Sequence, residues 1–244
     1  HYKLYLNYNN KMSSRIDKFR NQYEGASFAI LGSSPTIGLF DYKEDYVMAV
    51  NGSVLCEGVN NVDFYLCGDK ESPKRRWFKP SLDQSVSRIV ATFVAPYDPS
   101  VLPNELERNG LQKILEKDEH HQNAGGGNIE FSPEYMQAAE PHGIFDYADI
   151  WEEEIKPEQK KLCRGGTITG VAAQMAMIMG AKELHLYGCS FGDTGNGHYG
   201  YDHKGEPGGI LNTHPVVMDY ILSKIRDYGV DIYAHGPTNL RVPR

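Results

Sequence analysis

Four short apolar runs in this chain each stop at a small or polar residue. Ser27–Leu31 ends at Gly32-Ser33-Ser34-Pro35-Thr36, Tyr46–Val50 at Asn51-Gly52-Ser53, Val62–Cys67 at Gly68-Asp69, and Glu183–Tyr187 at Gly188. Runs of this length bounded by turn residues read as strands, and the recurring strand-then-small-residue pattern opens α/β units. A helix beginning around Thr169-Gly170-Val171-Ala172-Ala173, reaching Met179 and closed by Gly180, runs directly into the last of these strands. Strands alternating with helices predict a mostly parallel sheet flanked by helices, an α/β fold of the Rossmann type. In open sheets of that kind ligands bind beyond the carboxyl ends of the strands, so the four tips mark a cleft.

The rest of the chain fits around this frame. Arg88 to Ala95 reads as a fourth strand. From Pro96 to about Gly166 the pattern is broken by prolines and by Gly125-Gly126-Gly127, which predicts an irregular insertion or lid over about 96–165, containing at least one helix, Glu105 to His120. The glycine-rich, polar stretch 192–209 predicts a mobile loop over the cleft. Thr213 is placed to cap a helix reaching about Tyr228, Gly229 to end it, and Val230–Ala234 to form a last strand before Gly236-Pro237-Thr238-Asn239. With 244 residues, no repeat and no low-complexity linker, the expectation is one nucleotide-binding domain spanning residues 1–244.

Composition removes several classes. Hydrophobic residues make up 40% and charged residues 23%, and no apolar run approaches the roughly 18 residues of a membrane span. A net charge of −7 leaves no broad basic face, so duplex nucleic acid is not an expected partner. The one dense basic cluster, Lys74, Arg75 and Arg76, reads as a solvated helix end. Cys56, Cys67, Cys163 and Cys189 show no C-x-x-C spacing and read as reduced, buried thiols. The polar opening from His1 lacks a leader pattern, and the expected compartment is the cytoplasm.

The strand tips also bear on the chemistry. Gly32, Ser33 and Ser34 offer backbone amides and hydroxyls suited to a phosphate or ribose, and Gly165 to Gly170 offers more at a helix N-terminus. G-x-G-x-x-G and G-x-x-x-x-G-K-S/T are both missing, which disfavours NAD and Walker-type ATP binding. Close helix-on-sheet packing explains Gly165 to Gly170 equally well, and Met175, Met177 and Met179 read as core. His120, His121, His198 and His203 lack metal-ligand spacing, so no metal site is expected. With no D-x-D triplet, a donor carrying a single phosphate suits the chain better than a metal-bound diphosphate.

Taken in order, Ile30-Leu31-Gly32-Ser33-Ser34-Pro35-Thr36-Ile37, Val50-Asn51, Thr167-Ile168-Thr169-Gly170-Val171 and Leu184-His185-Leu186-Tyr187-Gly188-Cys189-Ser190-Phe191 resemble the small single-domain bacterial sialyltransferases. The resemblance extends to Tyr199, His214 and Gly236-Pro237-Thr238-Asn239-Leu240, and leaves Pro96 to about Leu162 unmatched. It implies inverting transfer of sialic acid or a related keto-sugar acid from its CMP-activated form to a glycan hydroxyl, with no cofactor beyond the CMP-sugar co-substrate. Ser33 and Asn51 would contact the nucleotide and its phosphate, Thr169 and Gly188 would line the cytidine pocket, and His214 would be the general base. Tyr199 would donate a hydrogen bond to the leaving phosphate. The family's first loop tyrosine is Gly192 here, with Tyr201 as a substitute; its first-turn Asn is Ser33; and its Arg before the Thr-Gly pair is Gly166, with Arg164 nearby. An acceptor carried on a lipid would bring the protein peripherally to a membrane, and a homo-oligomer is compatible with the resemblance.

The same first turn also resembles 6-hydroxymethylpterin diphosphokinase-like proteins and flagellin glycosyltransferases. In the diphosphokinase reading Asp69 would help hold Mg²⁺ and ATP. A nucleotide-binding module without catalysis is the third alternative.

Overall fold

The computed structural model describes residues 16–67, 76–77, 80, 85–88, 90–91, 144–145, 147–149, 154–164, 167–191 and 214–242. Ten strands and two helices are seen among them: β1 Ser27–Leu31, β2 Tyr46–Val50, β3 Val62–Leu66, β4 Ser85–Arg88, β5 Val90–Ala91, β6 Ile144–Phe145, β7 Tyr147–Asp149, β8 Leu162–Arg164, α1 Ile168–Met179, β9 Glu183–Tyr187, α2 His214–Asp227 and β10 Asp231–Ala234. Six strands form one sheet in the order β10-β9-β1-β2-β3-β4, and every pairing in it is parallel. The α/β expectation holds.

β1, β2 and β9 fall at the residues expected of them because each is a run buried along most of its length. Alternate residues face opposite layers. Phe28, Ile30, Leu184, Leu186 and Ile232 pack against α1 and α2, while Ala29, Leu31, Val47, Ala49, Tyr65 and Tyr187 pack under Ile37, Val54 and Trp77. Ile37 and Val54 belong to two 3-10 turns, Pro35–Leu39 and Asn51–Leu55, which make the crossovers out of β1 and β2. Met175, Met177 and Met179 are core, as expected. All four cysteines are buried and none is in a disulfide. No helix among the described residues is long and apolar enough to cross a membrane.

Helix α1 starts where Thr167 caps it, its hydroxyl accepting from the Thr169 amide at 3.2 Å. It stops at Gly180, whose φ of 97° belongs to the left-handed region that suits glycine. The segment before β1 covers that end: the amides of Asn21, Tyr23 and Gly25 donate to the carbonyls of Ile178, Met179 and Gly180.

Two expectations are corrected. The fourth strand of the main sheet is Ser85–Arg88 rather than Arg88–Ala95; Val90–Ala91 pairs with β6 in a separate two-stranded sheet. The apolar run after Arg88 attracted the strand reading, whereas an edge strand with one neighbour tolerates the polar sequence Ser-Val-Ser-Arg. The stretch read as an irregular insertion holds β6, β7 and β8, with β7 and β8 paired in parallel. Strands of two or three residues are too short to show a period. The Glu105–His120 helix and the 192–209 loop lie outside the described residues.

A buried amide network ties β8 to α1. Gln174, wholly buried, accepts from the Cys163 amide at 2.7 Å and from Gln159 Nε2 at 2.8 Å. Its own amide nitrogen donates to the carbonyls of Cys163 at 2.7 Å and Gly170 at 3.1 Å. Replacing Gln174 by Met keeps the bulk but removes these four hydrogen bonds from the core, at about 0.5–1.5 kcal/mol each. Urea unfolding of Gln174→Met is expected to show a loss of about 2–4 kcal/mol; a change below about 0.5 kcal/mol would contradict this role.

Candidate functional site

The order of the sheet locates the site. From β1 the chain builds outward through β2, β3 and β4, whereas β9 and β10 lie on the other side of β1. The switch point therefore falls between β1 and β9, and in open parallel sheets the crevice beyond the strand ends at such a point is where ligands lodge. Helices α1 and α2 each run back to start a parallel strand, so their N-termini lie at the same end of the sheet. There the helix dipoles favour anions.

At the switch point β1 and β9 approach as closely as backbones can. The Gly32 amide donates to the Tyr187 carbonyl at 2.8 Å, and the Ser34 amide to the Gly188 carbonyl at 3.0 Å. A Cβ on either glycine would run into the carbonyl of the other, and Gly188 also has a φ of 65°. Gly170 faces α2, where a Cβ would meet Ile221 Cδ1 at 2.8 Å and Met218 Sδ at 3.3 Å. Packing thus accounts for Gly32, Gly170 and Gly188, expected from sequence as nucleotide contacts, without any ligand.

The polar groups around this collar differ in how fully they are used. The buried Ser34 hydroxyl is shared with Thr36 Oγ1 at 2.9 Å, while Ser33 is half-buried beside it. Asn51 begins the turn after β2 with a φ of 46°, an uncommon conformation that Asn tolerates better than most residues. Its carbonyl accepts from the Tyr65 hydroxyl at 3.2 Å, but its side-chain Oδ1 is buried without a hydrogen-bond partner. Ser190 Oγ, just past the tip of β9, is in the same state. Unmet buried acceptors and hydroxyls are rare because each costs about 1–3 kcal/mol.

Thr169, in the first turn of α1, is buried. Just past the β9 tip the Cys189 thiol donates to the Tyr187 carbonyl at 3.3 Å. Burial pushes the Cys189 thiol up to about 12, so it is a neutral packing group rather than a nucleophile. The Thr238-Asn239 end of the terminal motif clips the same loop: Thr238 Oγ1 donates to the Cys189 carbonyl at 2.9 Å, Asn239 Nδ2 to that of Phe191 at 3.0 Å, and the Asn239 amide to that of Ser190 at 2.8 Å.

The structure therefore gathers Ser33, Ser34, Asn51 and Thr169 at one end of the sheet. His214 is the first residue of α2 at that end, and Arg164 is the last of β8, joined to α1 through the Gln174 network. Asp69, Tyr199 and Tyr201 lie outside the described residues, as do His120, His121, His198 and His203. Ser190 was missed as a site residue; only its place two residues beyond Gly188 signalled it.

An open parallel sheet with its switch point between β1 and β9, and with α1 and α2 packed on one face, defines the α/β fold expected from the sequence. No protein-family model and no curated protein matches the chain. Among solved structures it is similar to the sialyltransferase CstII from Campylobacter jejuni in complex with the substrate analogue cytidine-5'-monophosphate, at 14% identity and a TM-score of 0.47, covering 89% of this chain and 82% of that one. It is also similar to the sialyltransferase CST-II with trisaccharide acceptor and CMP, at 13% identity and a TM-score of 0.43, over 86% and 80% of the two chains.

Proposed function

We propose that this chain is an inverting glycosyltransferase that moves a CMP-activated acidic sugar, sialic acid or a related keto-sugar acid, onto a glycan hydroxyl. The observation that carries the reading is the set of sequence segments resembling bacterial sialyltransferases coming together at the β1/β9 switch point. Asn51 Oδ1 and Ser190 Oγ, buried and unmet there, are the groups a polar ligand would satisfy.

In this reading Ser33 and Asn51 hold the nucleotide and its phosphate, and Thr169 with the Gly188 backbone lines the cytidine side. The N-terminus of α1 adds its dipole, and Arg164 and Tyr201 are further phosphate contacts. The acceptor hydroxyl oxygen attacks the anomeric carbon from the face opposite the nucleotide. The bond from that carbon to the phosphate oxygen breaks, and its electron pair leaves with CMP. His214 takes the hydroxyl proton, and Tyr199 donates a hydrogen bond to the departing phosphate. A single phosphate demands less charge neutralisation than a diphosphate, so the transfer requires no metal.

A thermal-shift panel of CMP, CDP, CTP, ATP and GTP, each with and without Mg²⁺, tests the binding half of this. CMP well above its Kd should stabilise the fold by about 2.7 kcal/mol at a hundredfold excess, with or without Mg²⁺. A shift with ATP and Mg²⁺ alone would overturn it in favour of the diphosphokinase chemistry.

A further inference from the structure

On the sheet face opposite α1 and α2, three side chains far apart in sequence meet. His185 lies within β9, His235 follows β10, and Glu44 precedes β2. His185 Nδ1 is 3.0 Å from His235 Nε2 and 3.7 Å from Glu44 Oε1, and one ligand atom from each residue fits within 4.8 Å of the others. We propose that Glu44, His185 and His235 form a binding site for a divalent transition-metal ion of the Zn²⁺ type, separate from the proposed nucleotide site.

The spacing is that of a metal's ligand shell. The two imidazoles share a hydrogen bond at 3.0 Å; tetrahedral Zn²⁺ with bonds of about 2.0–2.2 Å sets neighbouring ligand atoms about 3.3–3.5 Å apart, between that distance and the 3.7 Å from His185 Nδ1 to Glu44 Oε1. The Glu44 side chain is only 5% exposed. Its Oε1, the oxygen at 3.7 Å from His185 Nδ1, also accepts from the Tyr187 hydroxyl at 2.8 Å, which orients the carboxylate. Its Oε2 is buried with no hydrogen-bond partner, a costly state for a carboxylate unless a cation lies beside it.

The surroundings also fit. His185 Nε2 lies 3.4 Å from Glu183 Oε2. Putting the proton on Nε2 leaves Nδ1 for the metal, in the carboxylate–histidine–metal arrangement that orients ligating imidazoles. The His235 ring is stacked on Tyr187, with centroids 4.1 Å apart and planes 4° from parallel. Two imidazoles and a carboxylate are ligands of borderline softness that suit Zn²⁺ or Co²⁺ over Mg²⁺ or Ca²⁺. Three protein ligands leave a fourth position, and His185, 19% exposed, leaves it within reach of water. An ion here would pin the segment before β2 to β9 and β10.

The test uses the full chain after treatment with a chelator. Calorimetric titration with Zn²⁺ should show one equivalent that disappears in His235→Gln and in Glu44→Gln, with far-UV circular dichroism unchanged. Glu183→Gln should keep that equivalent but weaken it about 10–100-fold, the usual cost of losing an outer carboxylate. Co²⁺ added to the unaltered chain should give the intense visible bands of a four-coordinate ion, which needs no variant to fold. Equivalents bound by other histidines would survive His235→Gln and are thereby distinguished. The proposal is overturned if the unaltered chain binds neither ion at micromolar concentration, or if Glu44→Gln and His235→Gln both retain every equivalent at undiminished affinity.

Discussion

Gly188→Ala is expected to destabilise the chain by roughly 3–5 kcal/mol, lowering the melting temperature by about 10 °C for a chain of this size. Two costs combine. An alanine must adopt a φ of 65°, and its Cβ would sit against the backbone carbonyl of Gly32 and 3.0 Å from Ile37 Cβ. Backbone cannot step aside as a flexible side-chain end can, so β1 and β9 must part. That would break the bonds from Gly32 to Tyr187 and from Ser34 to Gly188. Gly38 provides the control: its φ is not in the left-handed region, and nothing lies within 4 Å of where its Cβ would be, so Gly38→Ala should change stability by less than about 0.5 kcal/mol. Thermal denaturation of the two variants side by side checks this, and equal melting temperatures would contradict it.

His214→Ala is expected to reduce glycosyl transfer about 10²–10⁴-fold, the usual worth of a positioned general base, while CMP affinity stays within about twofold of the parent. The loss should appear in kcat, because the proton is taken only as the acceptor oxygen attacks. His214 starts a helix whose N-terminus faces the strand tips, where a base must be to reach an acceptor over the β1/β9 crevice. Initial rates at saturating donor, paired with calorimetric CMP binding, separate chemistry from binding. A variant that transfers at the parental rate, or that loses CMP binding to the same degree as turnover, would remove His214 from the base role.

The parts of the fold that could be read from sequence are those where burial leaves one solution. β1, β2 and β9 fall at the expected residues because their apolar runs stop at Gly32, Asn51 and Gly188; α1 ends as expected at Gly180 and begins at Ile168, one residue before the expected start at Thr169. β4 was misplaced because an edge strand needs no apolar run, and β6 to β8 escaped notice because they are too short for periodicity. Near the switch point, sequence singled out Ser33, Ser34, Asn51 and Thr169, which the fold brings to one end of the sheet, but it could not tell a glycine that contacts a ligand from one that packs. For Gly32, Gly170 and Gly188, the atoms a Cβ would meet make packing sufficient. The Gln159–Gln174–Cys163 network and the Glu44–His185–His235 cluster left no local pattern. Strand order and helix-on-sheet packing bring such separated residues together, and neither leaves a pattern in the local sequence.

The most direct test of the proposed chemistry is to incubate the chain with CMP-sialic acid and a glycan acceptor in the presence of EDTA and to follow both CMP release and the anomeric configuration of the product by NMR. The account predicts acceptor-dependent CMP release without added metal, and a product whose anomeric configuration is inverted relative to the donor. A product of retained configuration, or turnover that stops in EDTA and returns only with Mg²⁺ and ATP, would contradict it.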